Sequence, residues 1–260
     1  MFKKIYASVK ENNEIAKLIF RMELACEDAD LEHFVPGQFA NLEIPGHKEL
    51  LLKRPISICA VDVKNSSVTL VYQIKGKGTE ALAGLEKGAA IETILPIGRG
   101  FNLKSGDKNV FLVGGGVGIA PLLSVTQKWT DKNYEAFLGY RGAEYEYCLD
   151  DFESVCRGAH VSTDDGTLGE MCLVTDILRR RLKDASPDMI LACGPNPMLK
   201  ALKDILEPTG IPAQVSMEQR MCCGFGACSV CACGVDHGNG LEYKKVCVEG
   251  PVFNLYEVVL

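Results

Sequence analysis

At 260 residues, 47% of them hydrophobic, the chain is long enough for two modules and a smaller third one. Its net charge of −6 without any basic tract speaks against nucleic acid, and its longest apolar run, 110–125, is broken by four glycines and a proline and is too short to span a bilayer. Twelve cysteines would suggest a disulfide framework in a short secreted protein. This chain is longer, and Lys3 and Lys4 are not followed by the apolar run of a signal peptide, so the thiols read as reduced and the protein as cytoplasmic.

Strand signals dominate the first hundred residues, at 2–9, 16–24, 38–44, 56–61, 68–74 and 89–95. Pro36-Gly37, Pro45-Gly46 and Lys64-Asn65-Ser66 punctuate them, and one short helix is predicted over 79–85. This is the pattern of a small antiparallel β-barrel, assigned to 1–103. After Gly106-Asp107 the rhythm changes. Strands at 109–113, 135–140, 160–163 and 189–193 alternate with helices at 121–129, 144–154, 169–182 and 197–207. Such alternation predicts a doubly wound parallel sheet with helices on both faces, over 104–214. From Val215 the chain becomes rich in cysteine and glycine, and this last piece, 215–260, is too small to hold a core without a bound group.

That piece carries the most specific motif. Cys223-Gly-Phe-Gly-Ala-Cys228-Ser-Val-Cys231, with Cys247 further on, has the Cys-x4-Cys-x2-Cys…Cys spacing of plant-type [2Fe–2S] centres. Small residues at 224, 226, 227 and 229 let the main chain wrap closely and aim its N–H groups at sulfur. Cys222 lacks the four-residue gap to Cys228, so it and Cys233 read as cysteines that pack beside the cluster. A structural zinc is the alternative, but such sites show paired Cys-x2-Cys knuckles, where this segment has one. Cys26, Cys59, Cys148, Cys156 and Cys172 read as small buried hydrophobes.

Two strand–helix turns of the middle module suit a nucleotide. Val113-Gly114-Gly115-Gly116-Val117-Gly118-Ile119-Ala120-Pro121 puts glycines where a backbone approaches a pyrophosphate at a helix N-terminus. The pattern is Gly-x-Gly-x-x-Pro, and Arg141 stands where an acidic residue often holds the ribose of NAD. Cys193-Gly194-Pro195-Asn196-Pro197-Met198 forms the second turn. Either alone is equally a tight turn, but both lie at carboxyl ends of strands, where open α/β sheets bind ligands. In the barrel, Arg54-Pro55-Ile56-Ser57 offers a guanidinium that can fork onto phosphate and a hydroxyl for a ring nitrogen. Lys75-Gly76-Lys77-Gly78-Thr79 offers amides at the start of a short helix. Alone, the former reads as a strand entry with a solvated arginine.

Taken in this order, the motifs resemble the ferredoxin–NADP reductase superfamily. Glu218-Gln-Arg-Met221, the cysteine loop and Lys245-Val-Cys247-Val-Glu-Gly-Pro-Val-Phe253 narrow the resemblance to the electron-transfer subunits of dihydroorotate dehydrogenase B. The similarity runs from Pro36-Gly-Gln-Phe39 to Phe253. It implies FAD on the barrel, with Arg54 on the pyrophosphate, Pro55, Ile56 and Ser57 along the flavin, Val71, Tyr72 and Gln73 flanking it, and Gly78 and Thr79 on phosphate. Gln73 stands where the family pattern has arginine. The resemblance further implies NAD at Gly115, Gly116 and Gly118, with Cys193, Gly194 and Pro195 beside the nicotinamide, and a [2Fe–2S] cluster on Cys223, Cys228, Cys231 and Cys247. No catalytic acid or base is implied.

In that family electrons run from dihydroorotate through the FMN of a catalytic partner subunit, the cluster and FAD to NAD, in a heterotetramer serving pyrimidine biosynthesis. FAD stands between a two-electron hydride carrier and a one-electron cluster because it exchanges both ways. Flavin/iron–sulfur subunits of sulfur-reducing hydrogenases and bifurcating transhydrogenases share the layout and form the alternative. The Val-Cys-x-x-Gly-Pro-Val-Phe tail favours the dihydroorotate partner.

Overall fold

Alternation of buried and exposed side chains closes the first half of the chain into a barrel in the computed structural model, which describes residues 2–47 and 49–260. Its strands are β1 (Lys3–Ala16), β2 (Ile19–Ala25), β3 (Phe39–Leu42), β4 (Arg54–Asp62), β5 (Ser67–Gln73) and β6 (Ala90–Ile97), with helix α1 (Lys77–Ala83) between the last two. The spatial order is β1-β2-β5-β4-β3-β6, with every pair antiparallel. Met22, Leu24, Leu42, Ile58, Leu70, Ile91 and Leu95 are fully buried inside. Each contributes about 1.5–3 kcal/mol of apolar burial. With the interior filled, a ligand has to lie against the outside.

β1 runs past the predicted 2–9 because polar Glu11–Glu14 pairs with β2 through two register shifts, ending in a tight turn at Lys17-Leu18. Pairing with a strand whose Met22 and Leu24 are anchored in the core overrides the weak strand propensity of that stretch.

The second sheet follows as β7 (Asn109–Gly115), α2 (Ala120–Lys128), β8 (Asn133–Tyr140), α3 (Leu149–Val155), β9 (Ala159–Thr163), β10 (Glu170–Met171), α4 (Val174–Arg181), β11 (Met189–Cys193), α5 (Asn196–Leu206) and β12 (Ala213–Ser216). β13 (Ala232–Asp236) and β14 (Leu241–Lys245) make a hairpin, and β15 (Val252–Asn254) returns to the sheet. The order is β10-β9-β8-β7-β11-β12-β15, parallel except for β15. β7 and β11 are apolar and buried on both faces, as central parallel strands require.

Two helices come out shorter than predicted. Over 144–154 a single 3-10 turn, Ala143–Tyr145, precedes α3, and Cys148 between them is left-handed at φ 60°. Tyr147 is drawn inward there: its hydroxyl donates to Gly116 O at 2.9 Å, and its carbonyl accepts from the Tyr140 hydroxyl at 2.9 Å. Over 169–182 the first residues pair instead with β9 as β10, so α4 starts at Val174. Local helix propensity yields to a sheet edge in need of partners.

Strands β12 to β15 lie outside the predicted set. The last segment obtains a core by sharing one: Cys231, Cys233, Val235, Val246, Cys247, Leu255 and Val258 pack in one cluster with Val215 of β12, Leu199 of α5 and Phe39 of the barrel. Among the described residues no helix is long and apolar enough to cross a membrane.

Candidate electron-transfer site

A cleft of about 980 Å³ lies against the outer face of β4 and β5. Arg54, Pro55, Ile56, Ser57, Val71, Tyr72, Gln73 and Thr79 line it from the barrel side. β4 begins here because Pro55, which has no N–H to donate, is tolerated at a strand start, where it pairs opposite Asn41 of β3. The Arg54 guanidinium, donating to Leu52 O, lies directly over Gly78, where any side chain would collide with it. Thr79 Oγ1 accepts from Lys75 N at 2.9 Å and donates to Gly76 O at 3.0 Å, fixing the turn into α1. Arg54, Gly78 and Thr79 are thus brought together. Tyr72 differs: its ring is buried against Phe20 (centroids 5.9 Å apart) and its hydroxyl donates to Asn12 Oδ1 at 2.9 Å, so its main chain is what faces the cleft.

A second cleft of about 1370 Å³ opens at the carboxyl ends of the parallel strands, lined by Gly115, Gly116, Gly118, Arg141, Gly194 and Pro195. The glycines have separate reasons. A Cβ on Gly118 would lie 2.5 Å from Cys193 O, and one on Gly115 would lie 2.7 Å from Met198 Sδ, so the two turns pack face to face. Gly116 has φ +53° and open space around it. Cys193 lines the first cleft and Gly194 the second, while Gly118 lines both, so the clefts meet where the two turns touch. Burial foremost, then the Glu218 carboxylate, pushes the Cys193 thiol up to about 12. It is a neutral packing group at neutral pH.

Glu218 and Lys75 also line both clefts. Both lie within sequence motifs whose local pattern gives neither of them a place in the site. Their role at the junction depends on how segments more than a hundred residues apart converge.

Met221, just before the cysteine loop, and Val246, next to Cys247 in the chain, complete the wall of the first cleft. Cys231 Sγ lies 3.4 Å from Cys247 Sγ. Burial pushes the Cys223 thiol up, but the amides of Phe225, Cys228 and Ala227 and the Cys228 thiol more than offset it and bring it down to about 6. Gly224 and Gly226 hold φ +77° and +94°, conformations that let those amides point inward. The Lys245 ammonium donates to Gly226 O at 2.8 Å and pins the loop to β14. Cys222 is exposed, and its thiol is held above the ordinary value by desolvation and then by Cys228. Cys233 packs in the apolar cluster, its thiol raised by burial. Among the described residues no three His, Cys, Asp or Glu side chains gather around one point as a single ion requires. The thiols fall instead into two neighbouring pairs, and amides aimed at Cys223 favour a thiolate. That donor set suits a binuclear group.

Compared with known proteins, residues 218–259 match the model for the iron–sulfur cluster binding domain of dihydroorotate dehydrogenase B, and residues 112–204 match the oxidoreductase NAD-binding domain. The electron transfer subunit of dihydroorotate dehydrogenase B (NAD(+)) from Bacillus velezensis is 39% identical, over 99% of this chain and 100% of its own length. The subunit of that name from Enterococcus faecalis (strain ATCC 700802 / V583) is 37% identical over 97% of each. This chain belongs to that family. Among solved structures, a chain of the NADH-dependent reduced ferredoxin–NADP oxidoreductase, studied for flavin-based electron bifurcation, superposes on this family member with a TM-score of 0.87 at 27% identity, covering 97% of this chain and 89% of that one. The ferredoxin reductase of carbazole 1,9a-dioxygenase shares the fold, with a TM-score of 0.70 at 20% identity over 81% of this chain and 67% of that one. The expected architecture, a reductase-like barrel, a parallel α/β sheet and an iron–sulfur segment, therefore stands for this chain.

Proposed function

We propose that the chain carries electrons between NAD and a catalytic dihydroorotate dehydrogenase subunit, using FAD and a [2Fe–2S] cluster, in the pathway to UMP. The observation that carries this reading is the composition of the first cleft. One wall belongs to the barrel, one to the turns at Gly118 and Cys193, and one to Met221 and Val246 beside the cysteine loop. A molecule held there touches the nicotinamide side and the cluster side at once.

Bound FAD supplies the exchange between two-electron and one-electron carriers. The chain's own residues orient it. Arg54, over Gly78, would meet the pyrophosphate with charge-assisted hydrogen bonds, while Thr79 holds the turn beside it through its bonds to Lys75 N and Gly76 O. Pro55, Ile56, Ser57, Val71, Tyr72 and Gln73 form the flavin wall, with Ser57 toward the ring nitrogen. Gly115, Gly116 and Gly118 admit the dinucleotide, and Cys193, Gly194 and Pro195 bring nicotinamide to the junction. Cys223, Cys228, Cys231 and Cys247 ligate the cluster. The corresponding modules are 1–103, 104–214 and 215–260.

Phe225, Val230 and Val248 are 48%, 52% and 42% exposed around the loop, an apolar rim suited to the partner subunit, which we take to carry FMN and to pair in a heterotetramer. The cytoplasm is the compartment proposed. The similarity to the bifurcating reductase supports a second reading, a flavin subunit serving another iron–sulfur enzyme. Purification of the native complex separates them, since an FMN-bearing partner accords with the first reading and a hydrogenase or larger iron–sulfur partner with the second.

The direct test is anaerobic NADH reduction of the isolated chain, followed optically and by electron paramagnetic resonance. Flavin bleaching and a reduced-cluster signal are expected, with Cys228→Ser losing the cluster signal and keeping the flavin. A wild-type protein without iron and acid-labile sulfide refutes the proposal.

A further inference from the structure

Asn41 sits in β3 at 0% exposure, and neither its Nδ2 nor its Oδ1 has a hydrogen-bond partner among the described residues. A buried amide left this way costs about 1–3 kcal/mol, so native structures rarely leave one without a purpose. Its strand neighbours Ala40 and Leu42 pack in the barrel core, so Asn41 points outward with Phe39. What it meets there is the cysteine loop. A Cβ on Gly224 would fall on Asn41 Nδ2 and lie 3.2 Å from Asn41 Cγ. Asn41 is also paired in register with Pro55. The strand pair that presents Arg54 to Ser57 to the first cleft therefore presents a free carboxamide to the loop between Cys223 and Cys228. The other buried orphan among the described residues, Thr93 Oγ1, lies opposite Leu42 on the core side of β6.

We propose that Asn41 is a positioning residue for the iron–sulfur cluster: Asn41 Nδ2–H donates to sulfur at the Cys223–Cys228 side, joining the flavin-bearing barrel to the cluster and helping to set its potential. The inference rests on the reading that the 223–231 loop holds the cluster. An N–H donor stabilises the reduced cluster, which bears one more negative charge, more than the oxidised one. Removing the donor therefore lowers the potential. A change of about tenfold in the reduction equilibrium corresponds to about 59 mV for one electron.

The test uses the full-length holoprotein and its Asn41→Leu and Asn41→Asp variants in redox titrations monitored by electron paramagnetic resonance, with iron, acid-labile sulfide and flavin measured on each sample. Both variants are expected to shift the midpoint downward by about the tenfold equivalent, Asn41→Asp further because it adds a negative acceptor. Unchanged midpoints in loaded clusters overturn the proposal, since packing alone would alter occupancy and leave the potential of the remaining clusters in place. Should neither variant load, retained flavin with lost iron supports the contact, and joint loss of flavin and iron overturns it by showing that Asn41 merely holds the barrel. Wild-type protein lacking iron would instead defeat the cluster reading itself.

Discussion

Gly118→Ala tests the junction of the two clefts most directly. A methyl group there would meet Cys193 O at 2.5 Å, Cys193 C at 2.7 Å and Gly194 N at 2.8 Å. All three atoms are backbone at the end of a central strand, so no side chain can swing away. Restoring ordinary contact requires the two turns to separate by on the order of 1 Å. Overpacking of this kind costs about 1–3 kcal/mol, a loss of roughly 3–10 °C in melting temperature for a chain of this size. The functional cost is larger, because a displacement of about 1 Å at a reacting geometry can lower a rate about 100-fold. Stopped-flow NADH reduction of the flavin should therefore slow by about 10- to 100-fold, with flavin and iron contents held at wild-type levels. Two controls calibrate the effect. Gly116→Ala has room for the methyl group but keeps φ +53°, a strain of about 1–2 kcal/mol. Gly106→Ala meets nothing within 4 Å and should stay within about 0.5 kcal/mol of wild type. Wild-type NADH kinetics and melting temperature in Gly118→Ala would refute the face-to-face packing of the turns.

Arg54→Ala should weaken FAD binding by about 10- to 100-fold, the equivalent of losing one or two charge-assisted hydrogen bonds, while iron content is retained; equilibrium dialysis of flavin measures it, and unchanged affinity rejects the pyrophosphate role. Glu92 tests the barrel. Hydrogen bonds from Lys4 and then Lys53 bring its carboxyl down to about 2 from the ordinary 4.5. A depressed carboxylate contributes stability that is complete above its unfolded value and is lost as pH falls from about 4.5 toward 2. The shift corresponds to at most about 3 kcal/mol; with Lys4 60% exposed and screened by water, about 1–2 kcal/mol is expected. Denaturant unfolding of Glu92→Gln should show that deficit at pH 7 and converge on wild type near pH 2; a constant deficit across that range contradicts the ion-pair account.

Much of the candidate site is legible as motifs in the sequence. Cysteine spacing carries the cluster motif because a thiolate loop around two irons needs short intervals and small residues between them. The glycines at 115, 116 and 118 carry the turn because a bulkier residue collides with Met198 or Cys193, or is strained at φ +53°. The helices predicted over 144–154 and 169–182 came out short for a complementary reason. The Tyr147 hydrogen bond to Gly116 joins segments distant in sequence, whereas Glu170–Met171 pairs with the nearby Ser162–Thr163 because β9 offers a sheet edge, and no helical pattern announces either. Tyr72 sits in the predicted stretch, yet strand alternation turns its ring into the barrel.

From sequence alone came the three modules, the metal-binding spacing and the order of the cofactor motifs, since each depends on interactions within a few residues. The tertiary structure decided which of those motifs share one cleft, that Glu218 and Lys75 stand at the junction, and that Asn41 reaches the cysteine loop. These are outcomes of strand register and of β15 docking on β12, where burial of side chains far apart along the chain outweighs any local preference.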